Sequence, residues 1–490
     1  MPAESPHFKP TLGLMDATMI VAGSMIGSGI FIVSADIVRN VGGAGWLILV
    51  WLITGFMTLT AAVSYGELSG MFPKAGGQYV YLKEAYNPLV SFLYGWSLFA
   101  VIQTGTIAAV GVAFSKYAAY LIPAFSEDNH ILRFQTGTNR CGDPTYFNIS
   151  AAQIVSILLI GLLTFTNTRG VKGGKWIQNI FTTTKLLALF GLIIAGFIAF
   201  HPEVWHANWS AAWQATKSSL KDLCNPSLGF DINSISGAAL FGGIAAAMVG
   251  SVFSSDAWNN VTFIAGEIKN PQKNIGLSLF LGTLIVTVIY VCANLMYVAV
   301  LPLDQIAHAE KDRIAVAASQ VIFGKSGTYI IALLIMVSTF GCNNGLILAG
   351  ARVYYTMAKD GLFFRQAGKL NKDSVPQWAL WAQFAVASIL CLSGKYGDLL
   401  DMISFVVVIF YVLTILGIFI LRKRRPDLPR PYKAFGYPLL PLLYILMGTS
   451  FCILLIIYKP EFTWPGLIIA LLGIPLYYIA NSGNRKKPAA

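Results

Sequence analysis

The sequence predicts an all-α integral membrane protein of about twelve transmembrane helices. Its 490 residues are 56% hydrophobic and only 11% charged, and the mean hydropathy is +0.65. Apolar windows long enough to cross a bilayer as helices recur along the whole chain. An ordinary soluble protein does not combine these properties, so the soluble classes are excluded.

The apolar windows account for most of the chain. We draw them at roughly 14–36, 44–66, 89–121, 148–166, 176–200, 235–264, 275–300, 327–356, 377–393, 399–421, 437–458 and 462–480. A polar leader at 1–10 precedes the first window without a small-residue cleavage site, so we expect it to be retained and not removed as a signal peptide. Two long polar loops, near 122–147 and 201–234, are expected to be irregular.

The basic residues of the loops predict the orientation. An even number of spans places both termini on one side, and that side carries about twice as many basic residues as the other. They are Lys74, Lys83, Arg169, Lys172, Lys175, Lys269, Lys273, Lys359, Arg365, Lys369, Lys372, Arg422 to Arg425, Arg430, Lys433 and the tail Arg485 to Lys487. The positive-inside rule then predicts cytoplasmic termini and a multi-pass protein of the inner or plasma membrane. A basic cytoplasmic surface that faces anionic lipid explains the net charge of +12. The lipid bilayer is therefore the expected partner, and no nucleic acid is expected.

The first window is interrupted by poor helix material. Residues 23–29 read Gly-Ser-Met-Ile-Gly-Ser-Gly, and each glycine costs about 1 kcal/mol relative to alanine in a helix. At membrane depth an unwound backbone survives only where protein or a wet cavity surrounds it. The free N–H groups of such a break would bind an anion such as a carboxylate. Tight helix packing explains the small residues equally well, so both interpretations stay open here.

A second interruption lies in the sixth window. Residues 250–260 place Asp256 beside serines in otherwise apolar sequence, and a carboxylate there is costly unless it faces water or a partner. The two interruptions fall at corresponding places in two halves of five spans, which is typical of an inverted-repeat transporter with a midplane site. The halves show no alignable sequence repeat, so this symmetry is inferred from hydropathy and breaks.

This pattern divides the chain into five segments. They are a cytoplasmic leader at 1–10, a first inverted repeat of helices 1–5 at 11–200, an extracellular loop at 201–234, a second repeat of helices 6–10 at 235–421, and helices 11–12 with a basic cytoplasmic tail at 422–490.

Isolated polar residues within the spans are candidates for function. Lys185 lies nine residues past Trp176, about two and a half helical turns into the fifth window. At that depth a functional lysine is favoured over one whose ammonium reaches the interface. For Asn343 and Asn344 in the eighth window, bonding across helices is at least as plausible as contact with a substrate.

The six cysteines show neither a CxxC pair nor a metal-ligand spacing, so no metal or cofactor is predicted. Four of them fall inside spans as apolar packing residues: Cys292, Cys342, Cys391 and Cys452. Cys141 and Cys224 fall in the two long loops on the predicted outer side, where an oxidising compartment favours disulfides. A disulfide between them is therefore a hypothesis.

Several motifs together resemble one transporter superfamily. They are residues 23–31, which end in Gly-Ser-Gly-Ile-Phe, the Tyr-Gly-Glu-Leu of 65–68, the Pro-Lys-Ala-Gly-Gly-Gln-Tyr of 73–79, the lysine segment 180–189 and the second interruption at 253–259. With these motifs the chain resembles the amino acid, polyamine and organocation transporter superfamily, and within it the L-type amino acid transporter branch and its bacterial relatives.

The resemblance implies a LeuT-like fold of two inverted five-helix repeats plus two further helices, with broken helices 1 and 6 and alternating access. At the first break it implies carboxylate binding by backbone N–H groups, with these residues at the site: Ser24, Met25, Gly27, Ser28, Gly29 and Ile30. At the second break it implies that carbonyls around Phe253, Ser254 and Asp256 accept the substrate ammonium, and that Phe253 is a gate. Lys185 matches the lysine that replaces a sodium ion of sodium-coupled relatives, which implies sodium-independent transport.

Two departures from the family pattern bear on substrate and partner. Many bacterial relatives read Phe-Ala-Tyr-Asp-Gly-Trp where this chain has Ser255 and Ala257 for the tyrosine and the glycine, which changes side-chain volume beside the site. Animal members of the branch use a cysteine in the loop of Cys141 to bond a single-span glycoprotein. Because Cys224 could form an intramolecular disulfide with Cys141 here, no obligatory heavy-chain partner is predicted.

These inferences predict a sodium-independent L-amino acid transporter, more narrowly an exchanger of neutral amino acids, and no enzyme. A proton-coupled permease stays as an alternative. So does a transporter of cationic or acidic amino acids or polyamines, since Asp256 would attract a second ammonium if it faced the cavity. A channel needs rings of carbonyls or charges along a pore, which one pair of breaks does not supply.

A more distant alternative is an intramembrane serine hydrolase that uses Ser28. Its nucleophile needs a general base nearby, and Lys185 alone would be a poor one. The five histidines all fall in the leader or in loops, at His7, His130, His201, His206 and His308.

Overall fold

The computed structural model describes residues 10–138, 141–222, 224–225, 228–393 and 396–484. The predicted leader, apart from its last residue, and the basic tail Arg485 to Lys487 lie outside these residues. The described chain is mainly helical, which confirms the predicted fold class.

The helices follow the apolar windows. In the first half they are α1 (Leu14–Met25), α2 (Ser34–Val41), α3 (Ala44–Met71), α4 (Gln78–Ala85), α5 (Pro88–Ser97), α6 (Gln103–Leu121), α7 (Ala151–Thr168), α8 (Val171–Ile198) and α9 (Pro202–Ser210). In the second half they are α10 (Gly237–Ser254), α11 (Asn260–Phe263), α12 (Pro271–Val300), α13 (Leu303–Ala307), α14 (Ile314–Phe323), α15 (Gly327–Lys359), α16 (Gln377–Ser393), α17 (Tyr396–Arg424), α18 (Leu439–Tyr458) and α19 (Pro460–Asn484). A π-helical turn, Leu98–Ile102, joins α5 to α6.

Nine helical segments of the described chain are long and apolar enough to cross a membrane. Three shorter apolar helices, Leu14–Met25, Gln377–Leu392 and Thr463–Ile479, occupy the places of other predicted spans. The chain is therefore a multi-pass membrane protein, and the number of crossings stays a prediction.

Both long loops contain a β-hairpin, where irregular chain was expected. The strands β1 (His130–Thr138) and β2 (Pro144–Ser150) pair between α6 and α7, and β3 (Thr216–Leu220) and β4 (Phe230–Ser234) pair between α9 and α10. The expectation was wrong because it followed the polarity of these loops, and an exposed two-stranded hairpin buries no apolar face that a sequence pattern would reveal. A disulfide between Cys141 and Cys224 joins the two hairpins.

The helices α8 and α17, five spans apart, have equivalent neighbours. The helix α8 packs against α1, α12 and α15, and its counterpart α17 packs against α10, α3 and α6. The two broken helices run antiparallel, because α1 contacts α11 while α2 contacts α10. This arrangement supports the predicted inverted repeats, whose boundaries at 11–200 and 235–421 stay a prediction.

The bundle has two distinct ends. We call the end that carries both hairpins the hairpin end, and the end where Leu12 pairs with Ile268 the terminal end. Buried ion pairs brace the terminal end, where Arg352 bonds Glu267 at 3.0 Å and Arg422 bonds Glu67 at 2.6 Å. These positions lie on helices far apart in sequence, so the pairs hold the bundle together at this end.

Candidate functional site

Lys185 lies against the first break. Its ammonium donates hydrogen bonds to the carbonyl oxygens of Gly23 at 2.5 Å and Ile26 at 2.6 Å, and the side chain is only 2% exposed. The last carbonyls of a helix have no intrahelical donor and carry negative partial charge. The ammonium therefore satisfies the carbonyls left free where α1 ends, and within the described residues it forms no ion pair with a carboxylate.

Side chains of α15 and α12 make further contacts with the carbonyls of this break. The Ser338 hydroxyl donates to Ile26 at 3.1 Å, and the Cys342 thiol lies 3.0 Å from the carbonyl oxygen of Ser24. The Tyr290 hydroxyl contacts the carbonyl oxygen of Met25 at 3.1 Å. The unwound segment is thus enclosed by protein, as an interrupted helix at membrane depth requires.

The same tyrosine connects the two breaks. The Tyr290 hydroxyl also lies 3.0 Å from the carbonyl oxygen of Ser254, the last residue of α10. Opposite it, Gly29 faces Ser254 so closely that a Cβ on Gly29 would overlap the Ser254 side chain. The two interruptions therefore meet at one place in the bundle.

A new helical turn begins at the first break. A 3-10 turn, Gly29–Phe31, follows the break directly, and the first N–H groups of a helical turn have no partner within it. The predicted residues Ser24 and Gly27 to Ile30 are all buried here, beside Ser254. Phe253, the predicted gate, is buried on the last turn of α10.

The Asp256 side chain is directed away from the first break. Its carboxylate accepts a hydrogen bond of 2.5 Å from the Tyr411 hydroxyl of α17. It lines two small cavities of about 10 and 20 Å³, each with room for about one water molecule. Neither cavity is lined by a residue of the first break. The structure therefore does not bring the Asp256 carboxylate together with the predicted carboxylate-binding N–H groups.

The second break has an unusual backbone at Ala257. Its φ of +62° is left-handed, a region that favours glycine because a Cβ crowds the following carbonyl. Within the break, 255–259, the amide of Ser255 donates to the Ser251 carbonyl and the amide of Asp256 donates to the Phe253 carbonyl. Both acceptors lie in α10. The chain turns out of the helix at this alanine.

Access to the breaks differs between the two ends. A cavity of about 740 Å³, which we call the vestibule, opens at the hairpin end and reaches Val33 and Gly250. A Cβ on Gly250 would lie 2.7 Å from that of Val33, so the two broken helices touch there. Neither Gly29 nor Ser254 lines the vestibule.

The terminal end is closed by backbone and charge. The amides of Thr11 and Leu12 both donate to the Glu267 carbonyl at 2.9 Å. Asp360 accepts a hydrogen bond from Tyr79 at 2.9 Å and pairs with Lys83 at 2.7 Å. Among the residues that the structure describes, the large cavity therefore lies at the hairpin end, and these contacts lie at the other.

The sequence interpretation missed Tyr290, Ser338 and Tyr411. A buried hydroxyl within an apolar span is a signal of function or helix contact, but it does not identify a partner more than 150 residues away. Of the two asparagines, Asn344 accepts from Asn167 at 2.9 Å, which is a bond between helices. Asn343 has no hydrogen-bond partner among the described residues.

Comparison with known proteins finds amino acid transporters that are similar to this chain over most of its length. Human large neutral amino acids transporter small subunit 2 is 28% identical over 473 residues, which cover 96% of this chain and 80% of that protein. Mouse Asc-type amino acid transporter 1 is 27% identical over 482 residues, covering 97% and 82%. Human b(0,+)-type amino acid transporter 1 is 28% identical over 473 residues, covering 95% and 87%. The family model described as amino acid permease matches residues 12–478. The chain has a broken first helix with a lysine bound to its last carbonyls, and the family model covers most of its length. The chain therefore belongs to the amino acid permease family.

Proposed function

We propose that this protein is a sodium-independent exchanger of neutral L-amino acids that works by alternating access. We further propose that it lies in the plasma membrane with both termini in the cytoplasm. The observation that carries the proposal is the meeting of two broken helices at Gly29 and Ser254, together with a vestibule that opens at the hairpin end. The family is one of transporters, and the chain is not an enzyme.

The proposed site binds the two charged groups that all amino acids share, the carboxylate and the ammonium. The N–H groups that begin the turn at Gly29 and Ile30 bind the substrate carboxylate. The carbonyl oxygens around Phe253 and Ser254, where α10 ends, bind the ammonium, because a helix C-terminus favours positive charge. Backbone groups make both contacts, so the side chain of the substrate is left to the residues around Met25 and Phe253.

The position of Lys185 supports sodium independence. Its ammonium already provides a positive charge to the carbonyls of Gly23 and Ile26, where oxygen ligands would otherwise suit a small hard cation. A sodium ion at this place would have to displace the ammonium. We therefore propose that no sodium ion is bound there.

The direction of Asp256 supports a neutral substrate side chain. A second ammonium would have to reach a carboxylate that is bonded to Tyr411 and lines cavities of about 10 and 20 Å³. A lysine side chain does not fit such a space. Cationic amino acids and polyamines are therefore the less favoured substrates.

A partner subunit bonded through Cys141 is not part of the proposal. One of the similar proteins is named a small subunit. In this chain the Cys141 sulfur is bonded to Cys224, so it is not available for a second disulfide. We propose that the chain transports without a disulfide-linked heavy chain.

The test is uptake of radiolabelled L-amino acids into proteoliposomes of the purified full chain. The assay compares vesicles with and without unlabelled amino acid inside, sodium with choline outside, and the presence with the absence of an imposed proton gradient. Exchange predicts uptake that depends on internal amino acid and is unchanged by sodium. Uptake into empty vesicles that follows the proton gradient would make the protein a proton-coupled permease, and no uptake of any amino acid would refute the proposal.

A further inference from the structure

The vestibule at the hairpin end carries an excess of positive charge. Five basic and three acidic side chains line it, which leaves two positive charges in excess. The carboxylates are already engaged: Asp36 and Asp312 pair with Arg39, and Glu127 pairs with Lys116 and Lys311. A cavity of about 740 Å³ lies within the size range of small-molecule sites. Such a lining attracts a small anion.

Arg313 is the basic side chain of the vestibule that has no hydrogen-bond acceptor. Within the described chain no atom accepts a hydrogen bond from its guanidinium, and its nearest carboxylate, Glu127, is 4.0 Å away, beyond hydrogen-bond distance. The residue is only 9% exposed. A nearly buried guanidinium without an acceptor pays a desolvation cost that a bound anion would offset.

The surroundings hold Arg313 in a defined orientation. Its guanidinium carbon lies 4.8 Å from the ring centre of Tyr120 and 5.8 Å from that of Tyr117, both on α6. Stacking of this kind fixes the guanidinium plane and leaves N–H groups at its edge free to donate to a carboxylate. Two such donors match the two oxygens of a carboxylate.

The turn that carries Arg313 is held from both sides of the vestibule. Lys311 pairs with Glu127 and Asp128 on the side of α6, while Asp312 pairs with Arg39 of α2. These opposed ion pairs fix the turn, so the guanidinium is positioned before any ligand arrives.

We propose that Arg313 is the centre of a second carboxylate-binding site, at which the substrate amino acid binds in the vestibule before it reaches the two breaks. This inference rests on the proposed transport function, because the ligand is the same amino acid. The site raises the occupancy of the vestibule at low substrate concentration. It takes no part in the exchange step itself.

The test measures the rate of exchange in proteoliposomes against external amino acid concentration for the wild-type chain, Arg313→Gln and Arg133→Gln. Arg133 is a matched control, because it also stacks on a tyrosine, Tyr146, at the hairpin end but does not line the vestibule. We expect R313Q to raise KM about tenfold and to leave the maximal rate within about twofold, and R133Q to leave both unchanged. A wild-type KM in R313Q overturns the vestibule site while the transport function stands. An inactive wild-type chain overturns the transport function and the site with it.

A second experiment excludes a purely structural effect of the substitution. In Arg313→Cys, the folded and reconstituted protein is treated with a positively or a negatively charged thiol reagent, and the treated wild-type chain controls for Cys292. The positive reagent should lower KM toward the wild-type value and the negative one should raise it further. Equal KM values after both reagents would show that charge at this position does not bind substrate.

Discussion

Gly29 packs against Ser254 at the point where the two broken helices meet. A Cβ on the glycine would overlap the side-chain oxygen of the serine and lie 3.1 Å from its Cα. No side chain larger than hydrogen fits between these backbones. A close approach between two chain segments therefore explains one glycine of the run in the first helix.

The first prediction concerns this contact. Gly29→Ala should push the two breaks apart and reduce exchange at least tenfold, because the N–H and carbonyl groups that we propose to bind the substrate would lose their relative position. Gly191→Ala is the control, since no atom lies within 4 Å of a Cβ there and alanine is favoured in a helix by about 1 kcal/mol. Both variants are assayed for exchange and for thermal unfolding. Full activity of G29A would contradict the assigned site.

The second prediction concerns Lys185. Lys185→Met keeps the length of the side chain but removes the donor to Gly23 and Ile26, and a buried carbonyl without a donor costs about 1–3 kcal/mol. We expect a lower unfolding temperature and at least tenfold slower exchange. Lys273→Met, at an exposed position near the start of α12, should leave both measurements unchanged. Wild-type exchange in K185M would refute the role proposed for this lysine.

The third prediction uses one substitution at two positions. Ala257 has a left-handed backbone, which costs a non-glycine residue about 1–2 kcal/mol, so Ala257→Gly should raise the unfolding temperature. Ala246 lies inside α10, where the same change to glycine should cost about 1 kcal/mol. Thermal unfolding of both variants in detergent tests the pair, and a fall in both would mean that Ala257 is not strained.

The fourth prediction concerns pH at the hairpin end. Partial burial opposes ionisation of Glu127, but Lys116 and Lys311 outweigh it and hold the pKa of this carboxyl below its usual 4.5. A lowered pKa in the folded state stabilises the protein above the unfolded pKa, and this stabilisation is lost as pH falls through the folded value. The unfolding temperature of Glu127→Gln should therefore lie below that of the wild type by a constant amount between about pH 5 and 8.

The difference between E127Q and the wild type should then shrink below about pH 4. Asp231→Asn, an exposed position on β4, is the control and should follow the wild type throughout. A difference that changes between about pH 5 and 8 would mean that another group dominates the titration of this network.

The sequence predicted those parts of the fold that depend on composition along the chain. Windows of apolar residues indicate a helix wherever they occur, and breaks such as residues 23–29 reveal themselves because glycine and serine are poor helix formers. Lys185 could be found because a charge in an apolar span is rare. None of these signals requires knowledge of a partner.

Contacts between distant segments could not be predicted in this way. The Tyr290 hydroxyl touches Met25 and Ser254, yet a tyrosine in an apolar helix is ordinary. The direction of Asp256 depends on Tyr411, 155 positions later, and the sequence alone left it open. The two hairpins escaped prediction because their strands are short and largely exposed, so the brief alternation Phe-Asp-Ile-Asn of β4 did not stand out in a polar loop.

Main-chain atoms make one part of the closure at the terminal end, and this part responds to substitution in its own way. The amides of Thr11 and Leu12 bond the Glu267 carbonyl, and the amide of Lys269 bonds the Leu12 carbonyl. Every residue except proline supplies the same N–H and C=O groups, so these main-chain bonds do not depend on the exposed side chain of Thr11. Only proline removes a donor, so Thr11→Pro would remove one of the two bonds to the Glu267 carbonyl and leave the buried Leu12 side chain and the ion pair of Glu267 with Arg352 in place.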